Sequence, residues 1–102
     1  MNVNDKDFER ERELTFPKYT ISIVTVITGV HAHTLRHYER SGLVEPSRTM
    51  GRMRRYSDSD LETIREIARL ADLGINYAGI KEILRLRRQW HTMQSWPGDQ
   101  TE

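Results

Sequence analysis

The fold of this chain is decided by residues 31–42, which read HAHTLRHYERSG. The stretch has no proline and its only glycine stands last, so it predicts a helix over 31–40. On a helical wheel of about 100° per residue, Leu35 anchors one side together with Ala32 and Tyr38. The opposite side carries imidazoles and cations: His33, Arg36, His37 and Arg40. The sequence therefore predicts a short helix that packs by one edge and presents a basic face outward.

The segment before this helix, residues 21–27, reads ISIVTVI and is ambiguous. Its β-branched residues favour a strand by propensity alone. The competing interpretation is a helix capped by Ser22 and stopped near Gly29. We prefer the helix, because a second helix follows directly after a sharp turn at residues 28–30.

Beyond residue 42, a short extended link over 43–46 leads into residues 47–56, which read SRTMGRMRRY. Two strand-like arms flank Gly51, and this pattern predicts a β-hairpin. Helix, turn, helix and hairpin in this order are typical of a winged helix-turn-helix domain. We therefore predict a mainly α fold with a small hairpin wing and two further helices.

The first of the two further helices is predicted to begin at Ser57, with Asp60 as its capping-box partner, and to end at Gly74. Its apolar stripe consists of Leu61, Ile64, Ile67, Ala68, Leu70 and Ala71. The second helix begins at the cap Asn76 and is predicted to extend toward residue 94. It carries a narrow apolar seam formed by Ile83, Leu86, Trp90 and Met93. The seam fits a dimer interface, and it fits equally well the closing edge of the monomer's own core.

Length, composition and charge set limits on function. With 102 residues and 12.1 kDa, the chain makes one domain. The division predicted is a flexible arm over 1–17, the winged helix-turn-helix domain over 18–88 and a short tail over 89–102. The absence of cysteine excludes disulfide scaffolds and zinc ribbons. No long apolar run or signal sequence is found, so we expect a cytoplasmic protein. We expect it to be associated with the nucleoid, and no cofactor is predicted.

The charge distribution indicates a polyanionic partner. The net charge is only +1, but residues 31–56 carry six arginines against Glu39 and Glu45, which gives +4 locally. We predict that His33 and His37 read base edges and that Arg36, Tyr38, Arg52, Arg54 and Arg55 contact phosphates. The full set expected at the DNA adds Thr34 and Arg40 from the helix, and Arg48 and Tyr56 from the wing.

Two other kinds of site are disfavoured. His33 and His37 have the spacing of metal ligands on a helix, but His31 would lie on the far side as the third ligand. No metal site is therefore predicted. No nucleophile–base pair, phosphate-binding glycine loop or buried carboxylate pair can be proposed, so the protein is not expected to be an enzyme.

The order and spacing of several motifs resemble the N-terminal domain of the MerR family. These motifs are Leu-Arg-His-Tyr-Glu at 35–39, Gly-Leu-Val-Glu-Pro at 42–46, Arg-Tyr-Ser-Asp at 55–58 and Leu-Gly-Ile at 73–75. The resemblance covers roughly residues 18–86. Within the family, the wing and the segment 74–81 look most like the heat-shock repressors.

This resemblance implies a transcriptional repressor of heat-shock and chaperone genes that binds an inverted-repeat operator as a homodimer. It also implies the DnaK chaperone as a co-repressor partner. The alternative is a MerR-like protein-interaction module that modulates a chaperone or co-chaperone without binding DNA. The short C-terminus favours that alternative, whereas the arginine-rich helix and wing favour DNA.

The chain departs from the family pattern in its first helix, where Ile23, Val24, Thr25 and Val26 stand in place of the usual polar or small residues. The outer side of this helix is therefore expected to be apolar, and the N-terminal arm is a candidate to cover it. Only about 15 residues follow Leu86, where family members usually continue into a long dimerisation helix.

Overall fold

The structure is a computed structural model that describes residues 5–94. In chain order its elements are α1 (Asp5–Thr15), α2 (Ile21–Thr28), α3 (Ala32–Arg40), β1 (Ser47–Arg48), β2 (Arg54–Arg55), α4 (Asp58–Asp72) and α5 (Tyr77–Gln94). The predicted mainly helical architecture with a hairpin wing is confirmed. Within residues 5–94, no helix combines the length and the apolar composition that crossing a bilayer requires.

The ambiguous segment before the turn is a helix, as predicted, but its cap is not Ser22. Thr20 is the N-cap, and its hydroxyl accepts a hydrogen bond from the amide of Ile23 at 3.3 Å. Gly29 ends α2 with a φ of 78°, a left-handed conformation that glycine adopts without strain. Burial of Val24 outweighs the strand propensity of the segment, since this residue is fully enclosed in the core.

The helix α3 has the orientation predicted from its helical wheel. Leu35 and Tyr38 are buried against the core. Ser41 and Gly42 follow its last turn, and the φ of Gly42 is 79°. The α2–turn–α3 unit is therefore a helix-turn-helix whose second helix keeps its polar side exposed.

The wing is the two-stranded antiparallel hairpin β1–β2, in which Ser47 pairs with Arg55 and Arg48 with Arg54. Its tip closes through the amide of Arg52, which donates to the carbonyl of Thr49 at 2.8 Å. At the base of the hairpin, Tyr56 and Tyr19 exchange backbone hydrogen bonds of 2.8 Å in both directions. This bridge joins the wing to the segment that leads into α2.

Helix α4 begins with the predicted capping box. The Ser57 hydroxyl accepts from the Asp60 amide, and the Asp60 carboxylate accepts from the Ser57 amide, both at 3.0 Å. Helix α4 is the central element of the core, with four residues of its predicted stripe buried: Leu61, Ile64, Ile67 and Leu70. The two alanines of the stripe are only half-buried.

Helix α5 extends to Gln94, as predicted. Asn76 caps it by accepting a hydrogen bond from the amide of Gly79 at 2.9 Å. Ile80 is fully buried, whereas the second half of α5 exposes Leu86, Trp90 and Met93. On another side of this half, Arg87 pairs with Glu66 of α4. Only the first seam residue, Ile83, packs against the core.

Helix α1 has no counterpart in the sequence prediction, which has an unstructured arm there. The helix packs against α4, and it buries little: Phe8 is 59% exposed and Leu14 is 42% exposed. The prediction that the N-terminal arm covers the outer side of α2 is wrong, because Val26 of that helix remains 83% exposed.

Candidate nucleic-acid interface

The exposed side of α3 carries the predicted basic face. The side chains of His33, Arg36, His37 and Arg40 are exposed, and Thr34 is half-buried beside them. The guanidinium of Arg40 lies 3.3 Å from Nδ1 of His37. Burial of Leu35 from the opposite side fixes which way these groups point. The helix therefore presents hydrogen-bond donors and imidazoles on a convex ridge of the kind that fits a major groove.

A shallow groove of about 400 Å³ runs beside this ridge and is lined by α3 and by Tyr77. The Tyr77 ring lies 5.1 Å from the His37 ring and packs edge-on against Tyr38 at 5.8 Å, centroid to centroid. Sequence reasoning missed Tyr77, because its position depends on how α5 packs against α3. An aromatic residue directly after the Asn76 cap is the only local signal.

The histidines at the start of α3 lie closer together than predicted. His31 is the N-cap residue rather than a member of the helix, and its ring stacks on that of His33 at 5.9 Å. The prediction that His31 lies on the far side is therefore wrong. Within residues 5–94, no group of three His, Cys, Asp or Glu side chains could hold a metal ion.

A second groove, of about 440 Å³, lies between the wing and the start of α2. Its walls come from residues 20–22, from Arg36 and from the wing: Arg48, Arg52, Met53, Arg54 and Arg55. The leading amides of a helix have no intrahelical acceptor and carry the positive end of its dipole. Several guanidinium groups and a helix N-terminus around one groove form a favourable environment for a phosphate group.

Two of the wing arginines are already paired. Glu39, near the end of α3, accepts from Nη2 of Arg48 at 2.8 Å through one carboxylate oxygen and from Nε of Arg54 at 2.7 Å through the other. Partial burial acts to raise the pKa of Glu39, but the hydrogen bonds and charges of Arg54 and Arg48 outweigh it and lower the pKa below its ordinary value. Glu39 is therefore ionised at neutral pH.

The other predicted arginines have no such partner. Within residues 5–94, the ion pairs leave four arginines of this surface without a carboxylate: Arg36, Arg40, Arg52 and Arg55. Arg52 sits at the wing tip with a φ of 69°, a strained left-handed conformation for a residue with a side chain. Arg36, Arg40 and Arg52 are exposed, whereas Arg55 is half-buried and donates from Nη1 to the carbonyl of Arg54 at 3.0 Å. None of these ion pairs neutralises the four guanidinium groups, so their charges can attract an outside anion.

The two tyrosines predicted to contact DNA belong to the core instead. Tyr38 is 3% exposed and Tyr56 is fully buried. Burial raises the pKa of both hydroxyls. The hydroxyl of Tyr56 is enclosed and has no hydrogen-bond partner among the described residues. The predicted contact through Tyr56 would need an exposed hydroxyl, so the structure contradicts it, and it leaves Tyr38 almost no surface to offer.

The fold and these grooves define a winged helix-turn-helix domain with a cationic recognition surface. The model of the MerR HTH family of regulatory proteins matches residues 19–86, from the segment before α2 into α5. The chain therefore belongs to the MerR family of transcriptional regulators.

Among curated proteins, the heat shock protein HspR of Streptomyces coelicolor is 49% identical over 80 residues, which are 78% of this chain and 53% of that protein. The regulator GlnR of Bacillus anthracis is 38% identical over 78 residues, or 76% of this chain and 60% of GlnR. The chain thus spans between half and two-thirds of the length of these relatives.

Two solved structures are similar to this fold. HiNmlR, a MerR family regulator that lacks the sensor domain and was crystallised with promoter DNA, superposes with a TM-score of 0.64 at 28% identity, over 68% of this chain and 53% of that one. The N-terminal part of the multidrug transporter activator of Bacillus subtilis gives 0.62 at 32% identity, over 76% of this chain and 83% of that one.

Proposed function

We propose that this protein is a sequence-specific DNA-binding repressor in which α3 enters the major groove and the wing contacts the neighbouring backbone. The observation that carries the proposal is the surface of α3 and the wing, where four arginines have no carboxylate partner among residues 5–94. Phosphate contacts fix the position of such a domain, and base contacts give it sequence preference. The phosphate contacts come from Arg36, Arg52 and Arg55, and the base contacts come from His33 and His37.

The protein acts as a homodimer on an inverted repeat. Leu86, Trp90 and Met93 are 49%, 60% and 57% exposed, and they follow one another on α5 at steps of four and three residues. This spacing is typical of helix pairing, since it keeps the apolar residues on one seam. A two-fold dimer matches a palindromic operator.

The regulated genes are those of chaperones, and the DnaK chaperone acts as co-repressor. The choice of chaperone genes is supported by the 49% identity to the heat shock protein HspR of Streptomyces coelicolor. The DnaK partner rests only on the family resemblance of residues 18–86. A protein with this role works in the cytoplasm at the nucleoid. A binding map of the purified protein on fragmented genomic DNA, at stated salt, tests it. Chaperone promoters should rank highest, and their absence would leave only the family.

The second candidate function is a protein-interaction module that modulates a chaperone without DNA. The exposed apolar residues of α2, with Val26 83% exposed, favour it. Fluorescence anisotropy with labelled duplex DNA separates the two functions. The repressor binds DNA with an affinity that falls steeply as salt rises, whereas the module gives no such signal at any salt concentration.

A further inference from the structure

The wing is a hairpin that is too short to be stable in isolation. Each strand has two residues, and isolated two-stranded hairpins are marginal in water even when longer. The register also places Arg48 directly opposite Arg54. Like charges facing each other across a strand pair are destabilising. The bridge between Tyr19 and Tyr56 holds the base of the hairpin, but a further group outside the hairpin must offset the repulsion between its two arginines.

The carboxylate of Glu39 meets this requirement. Its two oxygens bind the two opposed arginines separately, at 2.8 Å to Arg48 and 2.7 Å to Arg54. Glu39 lies one helical turn after Leu35, so its position is fixed by the residue that anchors α3 to the core. The side chains of Glu39 and Arg54 are only 22% and 24% exposed, and this shields their interaction from solvent.

We propose that Glu39 is a positioning residue: it contacts no DNA itself but locks the wing to the recognition helix at a fixed distance and angle. This inference rests on the proposed function. It also divides the wing arginines by role. Arg48 and Arg54 belong to the lock, whereas Arg52 and Arg55 are the ones left for phosphates.

Simple electrostatics and positioning predict opposite outcomes for Glu39→Gln. If Glu39 were only a negative charge near DNA, its removal would free two arginines, strengthen DNA binding and steepen its salt dependence. If Glu39 positions the wing, its removal loosens the hairpin. DNA binding is then weaker, because the free-energy cost of ordering the wing is subtracted from the binding free energy.

The first test uses the free protein and needs no DNA. The amide of Thr49 donates to the carbonyl of Met53 at 2.9 Å inside the wing, so its hydrogen exchange reports wing opening. In Glu39→Gln this exchange should accelerate roughly three- to tenfold, as two partly shielded ion pairs are lost. The amide of Leu35 in α3 serves as an internal reference for global unfolding. Unchanged exchange at Thr49 would overturn the inference.

The matched control is Glu82→Gln. Glu82 pairs with Arg85 within α5 at 2.6 Å and lies outside both grooves. This variant makes the same change of charge and should leave the exchange of Thr49 as in the unmodified protein. Equal acceleration in both variants would assign the effect to net charge and not to the lock.

The second test measures DNA affinity of the same variants over a range of salt. Glu39→Gln should bind several-fold more weakly with an unchanged slope of log affinity against log salt. Tighter binding, or a steeper slope, would contradict the positioning role. If the unmodified protein binds no DNA, the proposed function fails, and the exchange of Thr49 still decides whether Glu39 locks the wing.

Discussion

The arginines of this surface differ in what their guanidinium groups contact. Arg48 and Arg54 are held by Glu39, whereas Arg36 and Arg55 have no carboxylate partner among residues 5–94. The sequence alone places all four at the DNA, with Arg36, Arg54 and Arg55 as phosphate contacts, because the pairing with Glu39 depends on the hairpin register. A single residue's charge therefore does not reveal whether it is available to DNA.

Arg36→Ala should weaken binding to all DNA sequences about equally. Arg36 lines both grooves, so we assign it one phosphate contact per protomer. Each lost contact lowers the slope of log affinity against log salt by ~0.9, or ~1.8 for a dimer. Arg55→Ala should behave in the same way. The control is Arg85→Ala on α5; a slope that Arg36→Ala leaves untouched would remove Arg36 from the phosphate contacts.

His33→Ala should instead change base preference. His33 is exposed at the start of α3, where a recognition helix meets base edges. Losing a base contact relaxes selectivity at one operator position by about 1–3 kcal/mol and leaves binding to unrelated DNA nearly unchanged. A competition assay with singly substituted operators measures this selectivity. An unaltered ranking of those operators would exclude His33 as a reader.

At the scale of elements, sequence patterns predicted those helices whose apolar faces are buried. α3, α4 and α5 have clear helical periodicity, and Gly29 and Gly74 mark stops that the structure retains. Helix α1 was missed because it buries almost nothing, so it has no apolar period. Its signal lies in propensity, since DKDFERERELT contains three Glu and two Arg, which are good helix formers.

Tyr77 and the lock of Glu39 could not be predicted, because both depend on tertiary packing. The helical wheel groups Glu39 with Leu35 and Ala32 on the anchored side of α3, but it gives no information on the position of the wing. Likewise, Tyr77 reaches His37 only through the packing of α5 across α3. Local sequence patterns predict which side of a helix faces the core, but only the folded structure shows which residues contact its other sides.

The ion pair that links Glu66 of α4 to Arg87 of α5 should make the stability of the fold depend on pH in the acid range. Hydrogen bonds from Arg69 and Arg87 lower the pKa of Glu66 to about 2. A carboxylate with a lowered pKa stabilises the fold above its ordinary pKa of 4.5, and this stabilisation is lost as the pH falls toward 2. Glu66→Gln should therefore lower the free energy of unfolding near neutral pH. Between pH 4.5 and about 2, this free energy should fall less in the variant than in the unmodified protein.

Urea unfolding at a series of pH values measures this effect. Glu62→Gln is the control, since Glu62 lies in the same helix and takes part in none of the ion pairs among residues 5–94. A pH profile of Glu66→Gln that matches the unmodified protein would show that the link contributes no stability.

At the scale of the whole molecule, the proposed dimer depends on the exposed apolar residues of α5, Leu86, Trp90 and Met93. Trp90→Asp places a charge within the apolar seam and should weaken dimer association roughly tenfold or more, since buried tryptophan is a common hot spot. Sedimentation velocity over a range of concentrations measures the association. Arg88→Asp, on the other side of α5, is the control and should leave it unchanged. If Trp90→Asp dimerises normally, the dimer does not use this seam.

Amide chemical shifts recorded during a titration with duplex DNA test most directly whether α3, the wing and the start of α2 form the DNA-binding surface. A duplex of roughly 20 base pairs, two helical turns, at low salt is sufficient because phosphate contacts are independent of sequence. We expect the largest shifts in residues 32–40, in the wing over 47–55 and at Thr20 to Ser22. Shifts confined to α1 or to the second half of α5, or no shifts at all, would contradict the account.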